Sequence, residues 1–242
     1  MGLLDEHKSE RRARILAAAR TQLAKHGYDG LTMRDLAQAA RVSVPTLYNL
    51  FGGKDAILAA AMAESVERVA SRAVPADTTF FGRALLGFDT GMAMIADAPD
   101  FYRRLIPLFM ISPEARPIRQ RTELGFVALM TANLTAARDA GQLASWADPR
   151  VVAGHMWAQY MAAFLHWGTG GCSLEEFRTI ALSGICHLLL GVARGRFAEE
   201  VGATLEELAP SMTALADRGA SPLTKEPRHA RASADAAADS AD

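Results

Sequence analysis

The sequence TMRDLAQAARVSVPTLYNLFGGK, residues 32–54, decides the fold, because it predicts two short helices joined by a tight turn. Thr32 followed by Asp35 resembles a capping box, in which each side chain can satisfy a free amide at a helix start. The apolar and small residues that follow recur at helical spacing: Leu36, Ala37 and Ala40. This half of the stretch is therefore predicted to be a short helix with one buried face.

The second helix of the stretch begins after a turn at Arg41-Val42. Ser43 is its predicted N-cap, and Pro45 lies in the first turn, where a missing N–H costs nothing. At about 100° per residue the remaining positions separate into two faces. The apolar face carries Leu47, Leu50 and Phe51. The opposite face carries groups that can reach phosphates and base edges: Pro45, Thr46, Tyr48 and Asn49. This arrangement is typical of a helix-turn-helix.

The wider stretch RRARILAAARTQLAKHGYDGLTMRDLAQAARVSVPTLYNLFGGKDAIL, residues 11–58, resembles the DNA-binding domain of the TetR family of transcriptional regulators. The resemblance is carried by Lys25-His26-Gly27-Tyr28, Leu31-Thr32, Leu36-Ala37, Val42-Ser43, Thr46-Leu47-Tyr48, Phe51, and Lys54 before Asp55. It implies a homodimeric repressor that binds a palindromic operator in double-stranded DNA and is released by a small, mostly apolar ligand. Asn49-Leu50 departs from the basic or aromatic pair of many members, so no base preference is implied.

We expect the DNA contacts to come from Arg34, Ser43, Val44, Pro45, Thr46, Tyr48, Asn49 and Lys54. Thr46, Tyr48 and Lys54 are the candidates for phosphate. Lys54 opens a helix whose first-turn amides can also face a phosphate. Pro45 and Asn49 are the candidates for base edges. The arginines at the start of the first helix have two interpretations, a DNA-binding arm or a solvated basic end: Arg11, Arg12 and Arg14.

Composition sets the broad class of the chain. Its 242 residues carry 26 Lys and Arg against 27 Asp and Glu. Residues 1–56 carry nine basic against six acidic side chains, so the N-terminal part is locally basic. No signal sequence or membrane span is predicted. Cys172 and Cys186 are too few for a disulfide scaffold, and free thiols fit a cytoplasmic protein.

The predicted fold class is all-α. A three-helix helix-turn-helix domain covers residues 1–55, and a helix running to about residue 72 joins it to a second, helical domain. In the family such a helix links the DNA-binding domain to an effector-binding and dimerisation domain, here assigned to residues 73–217. Residues 218–242 are Pro-, Ala- and Ser-rich and are predicted to be a disordered tail. The predicted helices are 9–26, the two of the helix-turn-helix, 54–72, 77–96, 99–111, 113–140, 149–167, 173–194 and 205–216.

The second domain shows no motif of a known catalytic or metal site, so we expect neither an enzyme nor a cofactor. Cys186 and His187 are adjacent on a helix and therefore point about 100° apart. His166 and Cys172 could meet across the glycine-rich loop between them, which keeps a metal or redox sensor open as an alternative. An all-α small-molecule enzyme or carrier is the alternative of a different functional class.

Bulky apolar and amphipathic side chains recur on several helices of the second domain. Pockets for small molecules are mostly apolar with a few polar groups, and core filling is the competing interpretation for each residue. Because family members sense ligands in this domain, the resemblance favours a pocket. The candidate ligand-binding residues are Phe88, Met92, Phe109, Phe126, Met130, Trp157 and Tyr160.

The helix over 173–194 is apolar on most of its circumference and must be covered on more than one side. Core burial alone could achieve this. In the family the matching pair of helices forms a four-helix interface with a second subunit. The resemblance therefore implies a dimer interface that includes Phe177, Ala181, Gly184, Ile185 and Leu188. An activator, or a regulator without a ligand, remains compatible with the sequence.

Overall fold

The structure, a computed structural model, describes residues 3–70, 73–113 and 115–217. The predicted disordered tail, residues 218–242, lies outside the described residues. Within the described ranges, none of the helices is both long enough and apolar enough to cross a lipid bilayer.

Across the described residues the chain forms ten α-helices, and the predicted all-α fold class is confirmed. β-Pairing in these ranges amounts to one isolated antiparallel bridge between Leu143 and Ala193. The helices are α1 (Leu3–Gly30), α2 (Met33–Ala39), α3 (Val44–Phe51), α4 (Lys54–Ala70), α5 (Phe80–Asp97), α6 (Pro99–Ile111), α7 (Arg116–Asp139), α8 (Pro149–Gly168), α9 (Leu174–Leu190) and α10 (Gly195–Asp217).

The chain divides into two compact units. The N-terminal unit comprises the described residues of Met1–Arg72 and Ala93–Thr122, and the C-terminal unit those of Ala73–Met92 and Glu123–Asp242. Residues 93–122, which the sequence assigned to the second domain, thus cluster with the N-terminal helices. The physical reason is α6, which packs against α1 and buries Phe101.

The core of the N-terminal unit comes from one apolar face on each of its helices. The residues with no exposed surface include Ile15 and Leu23 of α1, Leu36 of α2, Leu47 of α3 and Ile57 of α4. Burying a leucine or isoleucine side chain contributes roughly 1.5–3 kcal/mol. These few contacts therefore hold the two short helices, which would be marginal in isolation.

α1 is longer than the predicted 9–26 at its N-terminus, and its backbone leaves helical geometry at Gly27 (φ 70°, ψ −179°). This is the glycine predicted to end the helix. A larger residue there would strain the backbone at this positive φ, and its β-carbon would also displace the end of the Arg104 side chain, whose Nη1 would lie 2.7 Å away.

The two caps predicted for the helix-turn-helix are confirmed. The Asp35 amide donates to the Thr32 hydroxyl (3.1 Å), and the Thr46 amide donates to the Ser43 hydroxyl (3.2 Å). The capping box is incomplete, because the Asp35 carboxylate accepts from the Thr32 hydroxyl (2.6 Å). α3 ends at Gly52, whose φ of 93° turns the chain toward α4.

The turn between α2 and α3 is a Schellman motif with an arginine at the left-handed position. Arg41 has a φ of 53°. Its amide donates to the Gln38 carbonyl (3.2 Å), and the Val42 amide donates to the Ala37 carbonyl (2.9 Å). These two bonds satisfy carbonyls that the end of a helix otherwise leaves free.

The C-terminal unit is built on α8, α9 and α10, with α9 packed against both neighbours. The spacing of Ser173 and Glu176 predicts a capping box at the start of α9, and the structure confirms it: the two residues exchange side-chain and backbone hydrogen bonds (2.6 and 3.1 Å). The helix predicted to begin with Asp77 as its cap, over residues 77–96, instead begins at Phe80. Thr79, rather than Asp77, accepts from the amide of the first turn, that of Gly82 (3.0 Å).

The end of the chain also differs from the prediction. α10 begins ten residues before the predicted 205, at Gly195, because Phe197 and Val201 are buried in the core and give its first turns a packed face. α9 ends earlier than residue 194, because Val192 joins a turn in which its carbonyl accepts from the Ala144 amide (2.7 Å).

Candidate nucleic-acid interface

α3 presents the predicted polar face to solvent. Pro45 and Asn49 are exposed, and Tyr48 is 51% exposed although it is a large aromatic residue. Leu47 on the opposite face has no exposed surface, so the helix is fixed from behind while its outward side chains stay accessible. Val44 and Thr46 are half-buried at the edge of this face.

Ser43 and Thr46 are both engaged in the cap of α3. Besides its bond to the Thr46 amide, the Ser43 hydroxyl lies 2.7 Å from the Thr46 hydroxyl. One of the two hydroxyls donates in this contact, and the proton of the other is free to donate to a phosphate oxygen. The first turn of α3 is therefore ordered before any DNA arrives.

The structure separates the three arginines at the start of α1. Arg14 Nε donates to the Ala40 carbonyl at the end of α2 (2.8 Å), and the Arg12 guanidinium lies 4.4 Å from the centre of the Phe51 ring. Arg11 is exposed and makes no hydrogen bond or ion pair with another described residue. Two of the three thus hold the helix-turn-helix together, and Arg11 is the cation left for solvent or DNA.

The other two cations predicted to contact DNA, Arg34 and Lys54, also differ in whether they have partners inside the protein. Arg34 is exposed on α2 and has no partner among the described residues. Lys54 is half-buried, and its ammonium donates to the carbonyls of Tyr28 (3.0 Å) and Leu31 (3.1 Å). Sequence reasoning named Tyr28 only as part of a motif. Tyr28 directly follows Gly27, where the helical backbone of α1 is interrupted. This position in the sequence is the signal that could have identified its role at the end of α1.

The candidate ligand-binding residues fall into separate groups. In the C-terminal unit, Phe126 pairs with Trp157 (ring centres 5.4 Å apart) and Phe88 with Tyr160 (6.2 Å). Tyr160 continues into a cluster of rings with Phe164, Trp167 and Phe177. Met92 and Met130 are buried. Phe109 belongs to the N-terminal unit, where it lines a cleft of about 10 Å³, room for a single water.

The candidate dimer residues are mostly inside the protomer. Phe177 and Ala181 have no exposed surface, and Ile185 is 7% exposed, because α9 packs between α8 and α10. These three residues therefore pack mainly inside the protomer, and their place in a dimer interface stays a prediction. Gly184 and Leu188 are half-buried and stay available.

The titratable groups of the C-terminal unit form no metal site within the described residues. Burial lowers the pKa of His166, an effect that the Glu176 carboxylate partly offsets. The His166 ring lies where a β-carbon on Gly171 would be, 2.2 Å from its Cε1, so it packs against the glycine loop. Burial raises the pKa of the Cys186 thiol to about 12.

The N-terminal sequence matches known regulators. Residues 15–61 match the model of the bacterial regulatory proteins of the tetR family. The HTH-type transcriptional repressor KstR of Rhodococcus jostii is 43% identical over 65 residues, which is 27% of this chain and 31% of that protein. The HTH-type transcriptional repressor Rv1474c of Mycobacterium tuberculosis is 39% identical over 67 residues, 28% and 36% of the two chains.

These matches span about a third of the length of the curated relatives. Over the wider fold, a TetR transcription regulator from Haloarcula marismortui superposes with a TM-score of 0.64 at 18% identity, covering 77% of this chain and all of that one. The predicted resemblance and the all-α architecture are thereby confirmed. The relatives that match are named as transcriptional regulators rather than enzymes.

We predict that the two cysteines differ sharply in reactivity. At pH 8, iodoacetamide should modify the half-buried Cys172 of the native protein and leave Cys186 untouched, because alkylation requires the thiolate. Mass spectrometry of native and urea-unfolded samples measures this. Cys172→Ser is the control and should take up reagent only when unfolded. Uptake of one equivalent by native Cys172→Ser would contradict the burial of Cys186.

Proposed function

We propose that this chain, whose N-terminal domain belongs to the TetR family of bacterial regulatory proteins, is a homodimeric transcriptional repressor. The observation that carries the proposal is the outward face of α3: a polar surface with an aromatic ring half exposed, on a helix whose other face is locked into the core. Because it acts on DNA, the protein works in the cytoplasm, where the bacterial chromosome lies.

In this proposal α3 enters the major groove. Asn49 reads base edges through its amide, and Pro45 packs against them. Tyr48, Thr46 and Ser43 bond phosphate oxygens, with Val44 in contact beside them and Arg34 adding a charge at the flank. All but two of these side chains are exposed, and the half-buried Val44 and Thr46 lie in the same first turn of α3. A palindromic operator follows if two protomers present this face about a two-fold axis.

The dimer proposal now rests mainly on α8. This helix exposes Val151, His155, Ala158 and Ala162, which are spaced by four, three and four residues and therefore form one stripe. Two of the four are alanines, and small side chains let a second helix approach closely. α9, which packs against α8, contributes the partly exposed Gly184 and Leu188. Pairing two such surfaces about a two-fold axis gives an isologous four-helix contact.

The effector proposal rests on the aromatic pairs of the C-terminal unit. Trp157 and Tyr160 lie within one turn of α8 and are both half-buried, so a small rearrangement could place a ligand between rings that now touch each other. The rings of Phe88 and Phe126 complete the two pairs, beside the adaptable side chains of Met92 and Met130. An apolar or aromatic ligand that prefers one conformation would shift the affinity for the operator.

We predict that Tyr48→Ala weakens DNA binding without affecting stability. The probe is a fragment selected by the wild-type protein from a library of its source genome, here the selected fragment. Removal of a phosphate contact should weaken binding by about tenfold to a hundredfold, with an unchanged melting temperature, because Tyr48 is exposed. Trp146→Ala, at a residue that is 73% exposed in the C-terminal unit, is the matched control. Equal affinity of the two variants would refute the assigned face.

We predict that Ala158→Glu dissociates the dimer. A carboxylate at this exposed position is harmless in a monomer but would be desolvated without a partner in the interface. The dimer dissociation constant, measured by analytical ultracentrifugation, should rise at least about tenfold. Ala203→Glu, at an exposed alanine of α10, is the control and should stay dimeric. Indistinguishable sedimentation of both variants as dimers would remove α8 from the interface.

We predict that Trp157→Leu impairs the response to ligand but not DNA binding. A panel of apolar and aromatic compounds is scored by release of the selected fragment from the wild-type protein. For the active compounds, the concentration for half release should rise about tenfold in Trp157→Leu, because leucine cannot stack on a ligand as the indole ring does. Trp146→Leu should behave as the wild type. An identical response of both variants would leave Trp157 as a core residue only.

A further inference from the structure

Lys54 makes three interactions at the end of α1. Its Nζ donates to the carbonyls of Tyr28 (3.0 Å) and Leu31 (3.1 Å), and it lies 3.8 Å from the centre of the Tyr28 ring. An ammonium has three N–H donors and no acceptor. Two donors are used by carbonyls, and the remaining side of the cation faces the negative surface of an aromatic ring.

The residue beside Lys54 closes the arrangement into a loop. The Tyr28 hydroxyl donates to Oδ1 of Asp55 (2.6 Å). The last turn of α1 is thereby tied to the first turn of α4 by the backbone, the ring and the hydroxyl of one tyrosine. We call these three residues, Tyr28, Lys54 and Asp55, the clamp.

The clamp lies immediately after the recognition helix. α3 is joined to Lys54 by Gly52 and Gly53, and a β-carbon built on either glycine would meet no other atom within 4 Å. This turn therefore lacks side-chain packing of its own. The clamp fixes the position at which the turn must end and thereby constrains the C-terminal end of α3.

We propose that Lys54 is a positioning residue for the recognition helix and not a phosphate contact. This inference rests on the proposed DNA binding and departs from the role expected of Lys54 from the sequence. To reach a phosphate, the ammonium would have to leave two charge-assisted hydrogen bonds and an aromatic face. Arg34 and Arg11, which are exposed and unpaired among the described residues, supply mobile positive charge at lower cost.

The test separates the two roles by the salt dependence of DNA binding. The slope of log affinity against log salt is negative. Removing one charged side chain that contacts a phosphate reduces the magnitude of this slope by about one. Lys54→Met keeps the stem and removes the donors. It should weaken binding to the selected fragment at least about tenfold at a temperature where the variant is fully folded, with the slope unchanged. Arg34→Met is the charge-matched control and should reduce the magnitude of the slope by about one without changing the melting temperature.

Two results would overturn the proposal. A salt slope whose magnitude falls by about one in Lys54→Met means that Lys54 contacts a phosphate. Unchanged affinity with only a lower melting temperature means a purely stabilising residue. Tyr28→Phe, which removes the hydroxyl bond to Asp55 and keeps the ring, provides a milder variant should Lys54→Met not fold. A smaller decrease in affinity at unchanged slope supports the clamp, and unchanged affinity opposes it.

A readout without DNA keeps this inference separate from the proposed function. Hydrogen exchange of the α3 amides in the free protein should be faster in Lys54→Met and in Tyr28→Phe than in the wild type and Arg34→Met. Failure of the wild-type protein to select any fragment would oppose the proposed function alone. Unchanged exchange in α3 would oppose the clamp, whether or not DNA is bound.

Discussion

The helix-turn-helix depends on a single backbone conformation, the left-handed Arg41 between α2 and α3. A non-glycine residue in this region costs on the order of 1 kcal/mol. Two turn hydrogen bonds, from the amides of Arg41 and Val42, offset that cost, and Arg14 of α1 binds the Ala40 carbonyl beside it. Because the turn sets the angle at which α3 leaves α2, the exposure of Tyr48 and the burial of Leu47 both follow from it.

Features that are encoded locally could be predicted from the sequence. The bounds of α6 and the hydroxyl caps at Thr32, Ser43 and Ser173 follow from proline, serine and threonine within a few residues of the helix starts. The first turns of α10 could not be predicted, because Phe197 and Val201 are helical through burial in a core formed by distant residues. The sequence also could not show what covers the apolar surface of α9. A hydrophobic stripe has the same pattern whether its own protomer or a partner covers it.

For the candidate DNA-binding residues, the sequence predicted an outward polar face but could not show which of the nearby cations have partners inside the protein. Arg12, Arg14 and Lys54 resemble Arg11 and Arg34 in charge, and each could equally have been a phosphate ligand. Their partners are the Phe51 ring, the Ala40 carbonyl and the carbonyls at the end of α1, all of which depend on the tertiary arrangement. Part of the basic charge of this unit is thus structural, and the charge available to DNA is smaller than the count suggests.

The turn after α3 has a consequence for how this sequence can vary. Gly52 and Gly53 are neighbours with equally open surroundings, but only Gly52 has a positive φ. A side chain at position 52 would strain the backbone, whereas one at position 53 would enter solvent. Sequence drift should therefore retain glycine at the first position and accept many residues at the second. The two adjacent glycines therefore differ: the backbone conformation requires glycine at position 52 and does not require it at position 53.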